Sequence, residues 1–269
     1  KLPNEVRQII NSDAEVVNKL GSNAMGNYLY VYKGVYATDE DVPVNPLTGE
    51  RLRMGGNTST QAYFKAGDPI WVDVNGDYII DEKDKVIVGN SQPRMTGGIS
   101  INLRYKAFSI NTNCSFTLRR DIINKALADR FRAYGTPVAG KVNLTSSGAL
   151  TPIEAYNFWT EDNIYAQYPN PFDYTRSSII QPFRYDQTLF MEDGSYFKIN
   201  GISVAYTIPK KMLDFFRISR CQLNFSMNNI YTFSKYSGIN PENVNNLGYD
   251  TSGGYPNGRT VTFGVSMDF

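Results

Sequence analysis

From residue 260 the chain reads TVTFGVSMDF, and its side chains alternate without a break. Val261, Phe263, Val265, Met267 and Phe269 share one side; Thr260, Thr262, Gly264, Ser266 and Asp268 share the other. Successive side chains of a strand point to opposite faces, so this segment is a strand with one apolar and one polar face. Four more stretches follow the rule. GGISINLRY sets Ile99, Ile101, Leu103 and Tyr105 against Ser100, Asn102 and Arg104. FSINTNCSFTLR sets Phe108, Ile110, Cys114, Phe116 and Leu118 against Ser109, Asn111, Asn113, Ser115, Thr117 and Arg119, with Thr112 as a polar interruption. CQLNFSMNNIYTF sets Cys221, Leu223, Phe225, Met227, Tyr231 and Phe233 against Gln222, Asn224, Ser226 and Asn228. SYFKINGISVAYTIP alternates too, but changes parity near Gly201, which predicts a β-bulge there.

Each segment runs about ten residues, the length a tilted strand needs to cross a bilayer. Their polar faces are rich in Asn, Ser and Thr rather than in Lys or Glu, which suits a water-filled lumen. A soluble β-sandwich shares the alternation and is the alternative. The connections favour the first reading. YKAF at 105–108 is a tight turn and PKKMLDFFRIS a moderate one, whereas 121–190 and 234–258 are long. Short turns at one end and long loops at the other are the pattern of outer-membrane barrels. Apolar residues at helical spacing predict a short helix over 121–135, with Ile123, Ala126, Leu127, Phe131 and Tyr134 on one side. Five strands cannot close such a barrel, and an open edge in lipid leaves backbone groups unpaired. On this reading the strands belong to something larger.

Composition removes other classes. The net charge is +1, so nothing favours nucleic acid. There is no histidine, which excludes Ser-His-Asp and Cys-His catalysis and the common zinc sites. The two cysteines, Cys114 and Cys221, lie on apolar faces and read as buried free thiols. No run of about 18 apolar residues offers a transmembrane helix, and KLPNEVRQII does not read as a signal peptide. Tyr (19) and Phe (15) are abundant, as at membrane interfaces and binding surfaces.

One stretch has its own chemistry. In DVNGDYIIDEKD, Asp73, Asn75, Asp77, the Ile79 carbonyl, Asp81 and Asp84 fall where a calcium loop places its oxygen ligands, and Ile80 fills the apolar eighth position. Tyr78 stands where such a loop has its sharp-turn Gly, and Asp84 where it has a bidentate Glu. An acidic solvated turn fits the same residues. The flanks PIWV and KVIVG read as strands, so this is no helical EF-hand. Glu154, Glu161 and Asp162 could form a hydrolytic carboxylate pair, but nothing nearby supports one, and no catalytic residue is assigned.

Five blocks, in order, resemble the SusC-like (RagA-like) TonB-dependent transporters of Bacteroidetes outer membranes. They are YLYVYKGVYATDEDV, GDPIWVDVNGDYIIDEKDKVIVGNSQPRMTGGISINLRYKAFSI, EDGSYFKINGISVAYTIPKKML, NIYTFSKYSGINPE and PNGRTVTFGVSMDF, together spanning about residues 28 to 269. The family has Gly where Tyr78 stands. The resemblance implies an all-β fold: an antiparallel transmembrane β-barrel segment, the last five strands of a roughly 22-stranded barrel, with long extracellular loops carrying short helices. Residues 1–91 would be an extracellular loop region with the calcium-like acidic loop. Residues 92–269 would be the five C-terminal barrel strands with their long loops at 121–190 and 234–258.

The resemblance further implies import of large nutrients, glycan oligosaccharides first and peptides second, and no enzymatic activity. A SusD-like lipoprotein would cap the barrel, and TonB–ExbB–ExbD would act through upstream regions holding the plug and TonB box. The location would be the outer membrane of a Gram-negative bacterium, in contact with lipid and with no nucleic-acid partner. Calcium is the one candidate cofactor, as an optional brace of an outer loop. Phe263, Val265, Met267 and the terminal Phe269 resemble the signal read by the barrel-assembly machinery. Trp159, Tyr156 and Tyr165, in the long outer loop, are the candidate substrate-binding aromatics. The soluble alternative is a calcium-braced β-sandwich acting as a glycan-binding or adhesion module.

Overall fold

A computed structural model describes residues 5–11, 14–19, 21–22, 26–56, 62–134, 137–138, 141–142, 155–214, 218–250 and 257–269. The chain divides into two compact units that do not follow chain order. The loop unit comprises residues 1–92, 121–192 and 243–253; the sheet unit comprises 93–120, 193–242 and 254–269. The long 121–190 loop and part of 234–258 thus join the N-terminal region in one unit.

The sheet unit holds β1 (Met95–Tyr105), β2 (Phe108–Leu118), β3 (Tyr196–Thr207), β4 (Arg220–Ser234) and β5 (Thr260–Asp268). They form one antiparallel sheet in the order β5-β4-β3-β2-β1. These are the five segments whose alternation marked them as strands. Lys106 and Ala107 turn β1 into β2, and Lys106 takes a positive φ of 51°. Two-residue hairpins need such angles because their twist matches that of the strands. The short helix Lys210–Leu213 lies between β3 and β4.

The predicted bulge is present. Asn113 pairs with Gly201 and Cys114 with Ile199, so Asn200 is an extra residue in β3. That single insertion moves the apolar positions from even numbers in one half of β3 to odd numbers in the other. A second irregularity lies beside it. Gly201 pairs with Asn228 but Ile199 with Tyr231, which leaves Asn229 and Ile230 between them in β4. Asn229 sits at φ 54°, in the left-handed region that Asn tolerates better than most residues.

The loop unit buries its apolar side chains. Helix α1 spans Lys125–Tyr134, not 121–135. Its start is fixed by Asn124, whose Oδ1 accepts from the Leu127 N–H at 3.0 Å, the usual capping bond. The preceding Asp121–Ile123 is strand instead of helix. Ile123 donates its N–H to Gly248 and accepts from Asp250, so extended backbone bonding overrides the helical spacing. From α1, Phe131 packs edge-on against Tyr156 and Phe158, both with ring centroids at 4.9 Å, and against Tyr168 at 5.1 Å and Phe183 at 5.4 Å. A second cluster stacks Tyr30 on Trp71 at 5.1 Å, with Phe64 edge-on to the indole. A four-stranded antiparallel sheet of Glu5–Asn11, Ala14–Lys19, Gly26–Leu29 and Val86–Val88 belongs to this unit.

Two buried carboxylates of the loop unit, Asp186 and Asp68, are paired with cations. The fully buried Asp186 meets Lys85 at 2.8 Å and the Arg184 guanidinium through two bonds. Burial alone would pull the Arg184 guanidinium down; the Asp186 carboxylate, with Tyr30 and Glu82 adding to it, makes the net shift upward. Arg176 grips Asp68 in the same two-pronged way and also bonds the Tyr63 carbonyl. Such pairs hold only when both partners stay, because a lone buried charge is strongly destabilising.

Candidate functional site

The sheet unit has the reverse of a soluble core. On one face Ile99, Ile101, Leu103, Phe108, Ile110, Leu223, Val261, Val265 and Met267 are exposed, and Phe263 keeps 79% of its surface open. Register puts these residues in common rows: Ile101–Thr112–Ile202–Met227–Val261 is one, and Leu103–Ile110–Val204–Phe225–Phe263 the next. Burial would stabilise each such side chain by about 1.5–3 kcal/mol, so a face this wide calls for an apolar surrounding.

The opposite face is stitched with hydrogen bonds. Ser100 Oγ donates to Asn113 Oδ1 at 2.8 Å, the Asn111 amide donates to Asn102, and Asn200 Nδ2 donates to Ser115 Oγ at 3.0 Å. One of its rows, Asn102–Asn111–Ser203–Ser226–Thr262, consists wholly of amides and hydroxyls. The dimensions agree with a membrane strand. Eleven residues in β1, at about 3.4 Å each, reach about 37 Å. Tilted by about 45° they span about 26 Å, close to the roughly 25 Å apolar band of outer-membrane barrels.

In the acidic loop, the predicted ligand side chains act as backbone caps. Asp73 accepts from Gly76 and Tyr78 at 2.7 and 2.8 Å. Asn75 Oδ1 accepts from Asp77, and Asp77 Oδ1 from Ile79. Asp81 accepts from Lys83, and Asp84 from Val74 at 2.9 Å and Asp81 at 2.8 Å. Ile79 and Ile80 pair with Arg53 and Met54, and Ile80 is wholly buried in the second aromatic cluster. Tyr78 takes φ 62°, the conformation the sequence demanded at that position. Burial pushes the Asp84 carboxyl up, against the pull of backbone N–H groups from Asp81, Val74 and Asn75. Among the described residues no three His, Cys, Asp or Glu side chains converge on a point where a metal could sit. Calcium at Asp73, Asn75, Asp77, the Ile79 carbonyl, Asp81 and Asp84 remains a proposal, since carboxylate oxygens that cap backbone N–H groups keep lone pairs for a cation.

The three candidate aromatics separate. Trp159 is only 8% exposed. Its Nε1 donates to the Ala37 carbonyl at 3.2 Å, and its ring lies against Gly67, where a Cβ would come within 2.8 Å of the indole. The substrate-binding role expected of Trp159 is therefore corrected to packing: a ring covered in this way cannot stack on cargo. Tyr156 is partly buried on Phe131. Tyr165, 85% exposed, faces solvent. Glu161 and Asp162 are exposed beside the Thr160–Asn163 turn, and Glu154 lies outside the described residues. Cys221 is buried, Cys114 is half-buried, and both are free.

No family model matches the chain. TonB-dependent receptor P3 of Formosa agariphila is 28% identical over 256 residues, covering 90% of this chain and 22% of the relative. TonB-dependent receptor SusC of Bacteroides thetaiotaomicron is 23% identical over 270 residues, covering 93% of this chain and 24% of the relative. The chain is similar to the C-terminal barrel part of SusC-like (RagA-like) TonB-dependent receptors. The solved RagAB peptide transporter superposes on 99% of it with a TM-score of 0.66 at 17% identity, matching 24% of that chain and supporting the same fold. The chain thus spans about a quarter of the length of the proteins it matches. The sheet is a segment of an outer-membrane barrel, and the relatives are receptors rather than enzymes. In this receptor segment the apolar face is the lipid side and the amide-and-hydroxyl face the lumen side, as barrel interiors are polar.

Proposed function

We propose that this receptor segment forms lipid-facing wall and outer loop of an importer of large nutrients, glycan oligosaccharides first and peptides second. The observation that carries the reading is the two-faced sheet, greasy where it is exposed and hydrogen-bonded on its polar side. A SusD-like lipoprotein is the proposed partner outside, and TonB–ExbB–ExbD the source of energy through the rest of the protein. The terminal row Phe263, Val265, Met267 and Phe269, with Phe269 87% exposed, is proposed as the element read by the assembly machinery. Tyr165 is the proposed contact to cargo or lipoprotein, because an amphipathic ring open to water favours such surfaces.

The test is uptake in cells. Deleting the full-length gene should abolish TonB-dependent accumulation of a fluorescent oligosaccharide or peptide, and restoring it should restore accumulation. Deletion without effect on either cargo class sinks the reading. Removing only Phe269 should lower the amount of full-length protein in the outer membrane; unchanged levels remove the assembly role.

A further inference from the structure

The irregular stretch of β4 opens a cavity of about 220 Å³ in the sheet unit. Its polar lining comprises Lys198, Asn229, Thr232, Asn240, Asn257 and Arg259. We propose that this cavity is a carboxylate-binding subsite in the lumen wall, which takes the acidic end or branch of a cargo molecule. The proposal rests on the import reading above and adds the chemical class of the cargo.

Register puts the lining residues Lys198 and Thr232 on the polar face, while Tyr231 joins the lining from the adjoining row of the other face, next to the irregularity. Lys198 pairs with Ser115 on one side and Thr232 on the other, in a row whose neighbouring rows carry Cys114–Ile199–Tyr231 and Phe116–Phe197–Phe233. Those neighbours belong to the lipid face, so the Lys198 row points to the lumen. The irregularity explains why a space exists here. Asn229 and Ile230 are extra to the ladder, and bulges re-aim side chains and interrupt pairing. From its left-handed position Asn229 donates its amide to the Gly258 carbonyl at 3.1 Å. That bond ties down the segment entering β5, which carries Asn257 and Arg259 to the same place.

Charge decides the class of ligand. Lys198 is buried and meets Glu242 at 2.5 Å, which accounts for one cation. Arg259 is exposed, and among the described residues it has no carboxylate partner. Its planar fork matches a carboxylate with two parallel bonds. The Asn240 Oδ1 accepts from the Glu242 N–H at 2.9 Å, which leaves its NH₂ group as the end free to donate. Asn229 spends its NH₂ on the Gly258 carbonyl and keeps its Oδ1 as an acceptor, so the lining offers both donors and acceptors, and what sets its preference is the one unpaired charge, that of Arg259. A neutral polyol could use these amides and the hydroxyl, but only an anion also gains from the guanidinium, and a carboxylate matches its fork. Size sets how much of the cargo enters. Pockets for whole ligands run about 300–1,000 Å³, so this one takes a single acidic group and its immediate surroundings.

Uronic acids and peptides both supply carboxylates, and the experiment separates them. The full-length receptor, purified in detergent, is titrated calorimetrically at low salt with trigalacturonate against neutral galactotriose. A second pair is an acidic pentapeptide with a free C-terminus against the same peptide with its acids amidated. One acidic probe should bind at least about tenfold more tightly than its neutral counterpart, the order expected of charge-assisted bonds. The pair that shows the preference identifies the source. Arg259→Gln should remove most of that preference, Arg259→Lys should retain part of it, and raising salt should shrink it in the wild type. Heat-modifiable migration on gels establishes that each variant is folded. Equal binding of acidic and neutral probes, failure of both acidic probes to bind, or an undiminished preference in folded Arg259→Gln overturns the subsite. The uptake test above judges import separately, so neutral cargo imported with no acidic preference refutes the subsite alone.

Discussion

The two units of this chain put the same kinds of side chain to opposite use. In the loop unit, Phe131, Phe158, Phe183 and Phe190 are buried and touch one another. In the sheet unit, Phe108, Phe197, Phe233 and Phe263 are exposed. Paired charge follows the same contrast. Asp186 and Asp68 are deep inside the loop unit, each held by an arginine, while the polar side of the sheet relies mostly on neutral amides and hydroxyls. The difference teaches that burial is defined by the solvent each unit meets. A unit in water must build its own apolar interior, whereas a strand in lipid finds one already outside it.

The most direct way to break the comparison is to make one deletion in both places. Phe131→Ala removes the ring that five aromatic neighbours enclose, and should cost the loop unit about 3–5 kcal/mol. It should appear as early proteolysis of the loops in the full-length receptor. Phe263→Ala removes an equal ring from the lipid face and should leave thermal unfolding in detergent nearly unchanged. Equal losses at both sites would mean that the sheet's apolar face is covered by protein and not by lipid.

Charge gives the next largest effect. Ile101 lies near the middle of β1 on the lipid face, and Ile101→Arg should cost about 2–4 kcal/mol at the bilayer midplane, read as a smaller folded fraction in the outer membrane. Ser203→Arg, on the polar face of β3, should insert normally. If the two behaved alike, the assignment of faces would fail. Smaller again is the helix start: Asn124→Ala removes the cap of α1 and should cost about 1 kcal/mol, measurable as faster hydrogen exchange in residues 125–128.

What the sequence disclosed depends on how each feature writes itself into the pattern. The five strands were legible because a half-buried strand repeats every two residues over its length. The Asn200 bulge was legible because one extra residue flips parity. The irregularity at Asn229 and Ile230 was not, because two extra residues restore parity and the alternation of Met227 and Tyr231 runs on undisturbed. The helix was placed too early because Ile123 fits the helical spacing while its backbone bonds to Gly248 and Asp250, more than a hundred residues away. The Lys85–Asp186–Arg184 group joins distant residues with no local spacing to find. Trp159 was misjudged for a related reason: an aromatic in a loop reads the same whether its faces are open or, as here, closed by Gly67 and a bond to Ala37.

The smallest expected effect belongs to the acidic loop, and it sharpens the contrast from the loop unit's side. A metal-braced loop and a self-capped loop share the same residues but differ in what removal of ions does. Here the oxygens of Asp73, Asp77 and Asp84 accept from backbone N–H groups of the loop, so its polar atoms are satisfied without an ion. Tyr78 holds a conformation costing about 1–2 kcal/mol relative to Gly, stabilised by the Asp73 bond to its N–H and by packing against the buried cluster around Ile80. Treating the full-length receptor with EDTA should therefore leave the unfolding midpoint of the loop unit where it is, and adding calcium back should not raise it. A site holding calcium at a hundred times its dissociation constant would instead contribute about 2.7 kcal/mol, a shift of several degrees that calorimetry would detect. Such a shift, lost in Asp73→Asn, would make the cation the brace and the hydrogen-bonded arrangement only its ion-free form.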